Sequence, residues 1–196
     1  MKKLLLLTLI ISIFIFLLLS PVLLQLVSYL HPVVLGVVFF CIVMSVLFFI
    51  CLIRRETIQI SYSNLRFLLL FYSFGLFILL FFRHSDQSYQ SLNLIPLSTI
   101  AFYLSGKVNG LIVFYNLAAN IGLFIPYGIF LMVKNRSRFQ LFYLPFLFIS
   151  MIEILQYVSH RGSMDIDDLI LNVLGFYIGY LLHPLFNKVI KVLNKN

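Results

Sequence analysis

The acids of this chain are few and unevenly spread. Four of the six, Glu153, Asp165, Asp167 and Asp168, fall between positions 153 and 168, while Glu56 and Asp86 stand apart. Glu153 lies within an apolar run. An ionised carboxylate at the centre of a helix in lipid costs at least ~2.5 kcal/mol, less near an interface, so Glu153 should face protein. At about 100° per residue, Gln156, Tyr157 and His160 share its side of a helix and make a polar stripe. Asp168, Asn172, Gly175 and Gly179 form a matching stripe further on, and the Gly-x-x-x-Gly spacing lets another helix approach closely. Asn116 and Asn120, at i and i+4, share a third face. Pro126 follows them, frees the carbonyl of Gly122 and permits a kink.

These side chains suit several chemistries. Glu153 could act as a general acid or base tuned by burial. Asp165, Asp167 and Asp168 offer the oxygen ligands that a hard divalent cation takes. Arg161 could clamp a phosphate, or pair with Glu153 or an aspartate. The Asp-x-Asp-Asp run is equally a solvated turn, with Asp165 or Asp167 capping the following helix, where a negative group suits the dipole. Asn, Gln and Glu also hydrogen-bond between membrane helices at ~0.6 kcal/mol each without any chemistry. The expected arrangement is one polar pocket built from Asn116, Asn120, Glu153, Gln156, Asp168 and Asn172. Its roof would be residues 161–167 and the loop around Asn93 and Pro96.

The elements that must position these residues are membrane spans. Of 196 residues, 62% are hydrophobic and 10% charged, and the mean hydropathy is +1.09. A water-soluble domain carries far more charge. Spanning the hydrocarbon core takes roughly 20 apolar residues as a helix. Six such runs are expected: Leu4 to about Leu30, broken by Pro21; Val33 to Ile53; Leu65 to Phe82; Gly110 to Val133; Phe139 to Val158; and Asp168 to Phe186. Helices are expected throughout, because no strand alternation is visible and lipid leaves no partner for free backbone groups. The fold class is therefore all-α, a polytopic transmembrane helix bundle. Met1-Lys2-Lys3 before the first run resembles a secretory signal. The run is longer than a signal core and no small-x-small site follows Ser20, so an uncleaved anchor is expected.

Basic residues set the orientation. With the N-terminus in the cytoplasm, Lys2, Lys3, Arg54, Arg55, Arg66, Lys134, Arg136, Arg138, Lys188, Lys191 and Lys195 lie inside, and Arg83, Lys107 and Arg161 outside. That asymmetry follows the positive-inside rule and puts both termini inside. The net charge of +8 is thereby explained by topology and attraction to anionic lipid, with no nucleic-acid partner implied. The polar pocket falls in the outer half of the bilayer. Cys41 and Cys51 read as small apolar residues, with no disulfide or metal spacing. His31, His84 and His183 read as interfacial or loop residues, and the 11 Tyr and 22 Phe, without any Trp, as lipid contacts.

Asn93-Leu-Ile-Pro96, Asn120-Ile-Gly-Leu-Phe-Ile-Pro126-Tyr-Gly128 and Glu153-Ile-Leu-Gln156 resemble the VanZ-like family, as do Arg161, Asp165, Asp167-Asp168, Asn172 and Gly175 in their order and spacing. The resemblance divides the chain into two N-terminal transmembrane helices over 1–64, a VanZ-like membrane domain over 65–185 and a short basic cytoplasmic tail over 186–196. It implies a multi-pass protein of the bacterial plasma membrane and cell envelope, linked to resistance against the glycopeptide teicoplanin. It supplies no catalytic residues.

Three functions compete. In the first, Asn93, Asn116, Asn120, Gln156, Asp165, Asp167 and Asn172 help bind a lipid-linked cell-wall precursor or a lipoglycopeptide, or alter access to the precursor, at the outer leaflet without catalysis. In the second, a membrane enzyme modifies a lipid or glycan carrier, with Glu153, Asp168 and Arg161 as catalytic candidates and a divalent cation on Asp165, Asp167 and Asp168. In the third, the chain is a small transporter, although it lacks a visible repeat and six short helices leave little room for two gates without dimerisation.

Overall fold

A computed structural model describes residues 2–27, 33–81, 92–134 and 136–193. His31, Phe82, Arg83, His84, Asp86 and Lys195, all considered above, lie outside the described residues. In chain order the elements are α1 (Lys2–Val27), α2 (Val33–Arg54), β1 (Ile58–Ser61), α3 (Tyr62–Phe81), β2 (Leu92–Asn93) and α4 (Ser98–Leu104). They continue with α5 (Gly110–Val133), α6 (Arg138–Val158), β3 (Met164–Asp165), α7 (Ile166–Val189) and β4 (Ile190–Leu193). Among the described residues six helices are long and apolar enough to cross a membrane: α1, α2, α3, α5, α6 and α7. Their outward apolar side chains are bare, among them Ile53, Phe114 and Leu181, as lipid contact requires. The fold is all-α, as the composition and run lengths predict.

The chain forms two compact units. The first joins the residues before 87 to those after 184. Here α1 lies along α2, with the Phe16 and Phe39 rings edge to face at 5.3 Å. Pro21 does not break α1, which runs on through it. Membrane helices tolerate proline because neighbouring groups re-satisfy the freed carbonyl. Leu4, Cys51 and Val189 form a small core with Ile58 and Ile190 around it.

The expectation of helices alone needs correcting here. β1 and β4 pair in parallel, Ile58 opposite Ile190 through Ser61 opposite Leu193. The third span also starts earlier than the apolar run, at Tyr62 instead of Leu65, because the Ser61 hydroxyl accepts the Asn64 N–H and caps the first turn.

The second unit comprises residues 87–184. α6 opens with a capping box, in which the Ser137 hydroxyl accepts the Gln140 N–H and the Gln140 side chain accepts the Ser137 N–H. It ends in a Schellman turn, with His160 at φ 55°. There the His160 N–H donates to the Tyr157 carbonyl and the Arg161 N–H to the Gln156 carbonyl. That reversal delivers β3 to β2, Leu92 opposite Met164 and Asn93 opposite Asp165.

α5 and α7 touch backbone to backbone. A Cβ on Gly175 would strike the Ile121 carbonyl, and one on Gly179 would lie 2.8 Å from the Gly128 Cα and against the Ile125 carbonyl. The Gly-x-x-x-Gly stripe read from the sequence is thus a contact surface. Phe124, Tyr127, Phe148 and Phe176 pack beside it with ring centroids 5.6–6.2 Å apart. In α6, Pro145 has no N–H for the Leu141 carbonyl one turn earlier. The Tyr180 hydroxyl of α7 donates to that carbonyl at 2.8 Å, so the proline's defect becomes an interhelical bond.

Candidate functional site

The polar residues of the second unit sort into two layers. The outer one is a clamp. Asp167, with 0% of its surface exposed, turns both carboxylate oxygens onto the start of α4. One accepts the Leu97 N–H, and the other accepts the Thr99 N–H at 2.8 Å and the Ile100 N–H at 3.1 Å. Leu97, at φ 65°, is the residue before α4 and has no capping side chain of its own, so Asp167 caps that helix from a distance.

Asp165 does two things. One oxygen accepts the Asp167 N–H at 2.9 Å and caps α7. The other accepts the Thr99 hydroxyl at 2.6 Å and the Asn93 amide at 3.3 Å. Asn93 also reaches Ser98 and Thr99 at 2.8 and 2.9 Å, while its oxygen accepts the Ile95 N–H.

The inner layer crosses three spans. Asn120 of α5 donates to Asp168 of α7 at 2.5 Å. Asn172 of α7 donates to Glu153 of α6 at 3.5 Å. Glu153 and Asn172 are both buried, at 3% and 4% exposure. The layers are joined through β3, which packs against α6, and Asp168 is close enough to act on Glu153 electrostatically. Glu153 lies five residues before the end of α6, about 7.5 Å along its axis. The Oδ1 atom of Asn172 is buried and has no hydrogen-bond partner. Leaving such an acceptor unmet costs about 1–3 kcal/mol.

The VanZ/LLP1 family model matches residues 67–187. The chain belongs to the VanZ/LLP1 family. No curated protein and no solved structure matches it.

The VanZ/LLP1 match spans both layers, and the polar residues predicted to meet there behave differently. Asn93, Asp165 and Asp167 hold the 93–100 segment. Asn120, Glu153, Asp168 and Asn172 make the inner layer. Gln156 packs its side chain under Gly162, 3.2 Å from where a Cβ would sit, and so braces the α6 turn. Asn116 is half-buried one turn from Asn120, outside the bonds described. Arg161 is exposed, and its backbone N–H closes the α6 turn.

Asp165, Asp167 and Asp168, the candidate cation ligands, give their oxygens to different protein donors. Among the described residues no three His, Cys, Asp or Glu side chains stand together as a metal-ligand group. The sequence reading missed Ser98, Thr99 and the N–H groups of Leu97 and Ile100. Only the Ser-Thr pair just after Pro96 hinted at them, and hydroxyls after a turn are too common to be diagnostic.

Proposed function

We propose that this VanZ/LLP1 protein works in the bacterial plasma membrane as a non-enzymatic envelope protein. It binds the polar head of a lipid-linked cell-wall precursor at the outer leaflet and thereby raises tolerance to teicoplanin. The observation that carries the reading is the buried, unpartnered Asn172 Oδ1 beside the Glu153 carboxylate, with Asp168 close by. A layer rich in acceptors takes a ligand rich in donors, and the hydroxyl and amide groups of a glycan-peptide head are of that kind. The positive-inside distribution of Lys and Arg supports an outward-facing position for this layer. Teicoplanin, with its lipid tail, acts at the same leaflet.

The test is drug tolerance in a Gram-positive host that expresses the chain, its Asn172→Leu variant or neither. The wild-type chain is expected to raise the teicoplanin inhibitory concentration more than the vancomycin one. Asn172→Leu should lose the effect at equal membrane abundance. Equal gains for both drugs, or no gain, would overturn the reading.

A further inference from the structure

The segment from Leu92 to Gly106 carries no charged residue, and its polarity is inside out. Leu92, Leu94, Ile95, Leu97, Phe102 and Leu104 are 51–72% exposed. The side chains of Asn93, Ser98 and Thr99 turn the other way. Asn93, Ser98 and Thr99 bond one another, and Asn93 and Thr99 bond Asp165. A connecting loop in water has the opposite arrangement. Lipid demands this one, because irregular backbone there must find every partner inside the protein. The segment meets that demand at its most irregular point. The N–H groups of Leu97, Thr99 and Ile100 end on Asp167 and that of Ile95 on Asn93.

Depth is fixed by a second set of bonds. The platform under the segment is β3, which pairs with β2, packs against α6 and follows the turn whose Arg161 N–H closes on the Gln156 carbonyl in the last turns of the α6 span. The segment is therefore pinned at the level of the last turns of α6, where the bilayer begins.

We propose that residues 92–104 form a rigid membrane-inserted element, with Leu94, Ile95, Leu97 and Phe102 in the acyl-chain boundary of the leaflet where α6 ends. The occupant of this apolar surface is bilayer lipid. The Asp165 and Asp167 carboxylates hold the element in a shape that a free chain of this composition would not keep.

The chain contains no tryptophan, so a single introduced indole reports its own surroundings. Leu94→Trp, Ile95→Trp and Phe102→Trp replace side chains that are half exposed or more. Each is reconstituted as the full chain in phosphatidylcholine vesicles, with and without brominated acyl chains, beside Leu147→Trp on the exposed face of α6 and Arg136→Trp in the α5–α6 connection. Quenching by brominated lipid is expected at about half or more of the Leu147→Trp level, with weak acrylamide quenching. Acrylamide quenching equal to that of Arg136→Trp would place the segment in water and overturn the proposal. Protection from both quenchers would mean cover by protein, such as a second copy, and would overturn it equally.

Discussion

The Asp167 carboxylate accepts the Thr99 N–H across 68 residues of sequence, and an acid at the start of one membrane span thereby caps a short helix that is not its own. Both partners belong to the motifs that resemble the VanZ-like family, or flank them, and the bond shows what those motifs do mechanically. They tie the segment after residue 92 to the start of α7.

Asp167→Ala leaves three backbone donors without their acceptor, at about 1–3 kcal/mol for each group left buried. Amide hydrogen exchange at Leu97, Thr99 and Ile100 should accelerate sharply, while amides in the middle of α6 keep their protection. Unchanged exchange at those three positions would refute the capping role.

Gly175→Ala and Gly179→Ala each push a methyl into a backbone carbonyl of α5. The expected loss is about 1–3 kcal/mol, read as a fall of several degrees in the melting temperature of the detergent-solubilised chain. Gly122→Ala is the control, since nothing lies within 4 Å of its added Cβ, and it should be neutral or slightly stabilising. Equal effects at all three glycines would argue against the close α5–α7 contact.

Tyr180→Phe removes the hydroxyl from the Leu141 carbonyl and should cost about 1 kcal/mol. In a Pro145→Ala background that carbonyl regains an N–H from its own helix, and the same change should cost much less. A double-mutant cycle in thermal stability measures the difference. Additive effects would show that the tyrosine does not compensate for the proline.

Glu153→Gln keeps the size of the side chain and replaces its carboxyl group by a carboxamide. Teicoplanin tolerance should disappear while membrane abundance and melting temperature stay close to wild type, because few apolar contacts change. Full tolerance in this variant, and in Asp168→Asn, would reduce the inner layer to interhelical packing.

The six spans were legible because each is a long apolar run ended by charge or a polar turn, and their helical faces followed from the 3.6-residue period. That is why Glu153, Asp168, Asn172 and the two glycines could be grouped in advance. Pairing was not legible. Ile58–Ser61 and Ile190–Leu193 show a hint of alternation, but each is four residues long and its partner lies at the other end of the chain, so no turn signal joins them. The role of Asp167 was hidden for the same reason. Capping rules read outward from an acid along its own helix, and this carboxylate serves a helix elsewhere, at a Leu97 whose left-handed backbone nothing in its side chain foretells. Pro21 misled in the other direction, since a proline rule drawn from water-soluble helices overstates the break inside lipid.

The clamp also sets an order of events during synthesis. The bonds that shape residues 93–100 end on side chains that the ribosome adds 66 to 72 positions later. Until Asp167 emerges, the nascent chain must present the N–H groups of Leu97, Thr99 and Ile100 without their acceptor, while α5 and α6 are being inserted. The segment, although at the start of the unit formed by residues 87–184, is among the last parts of that unit to take its final form.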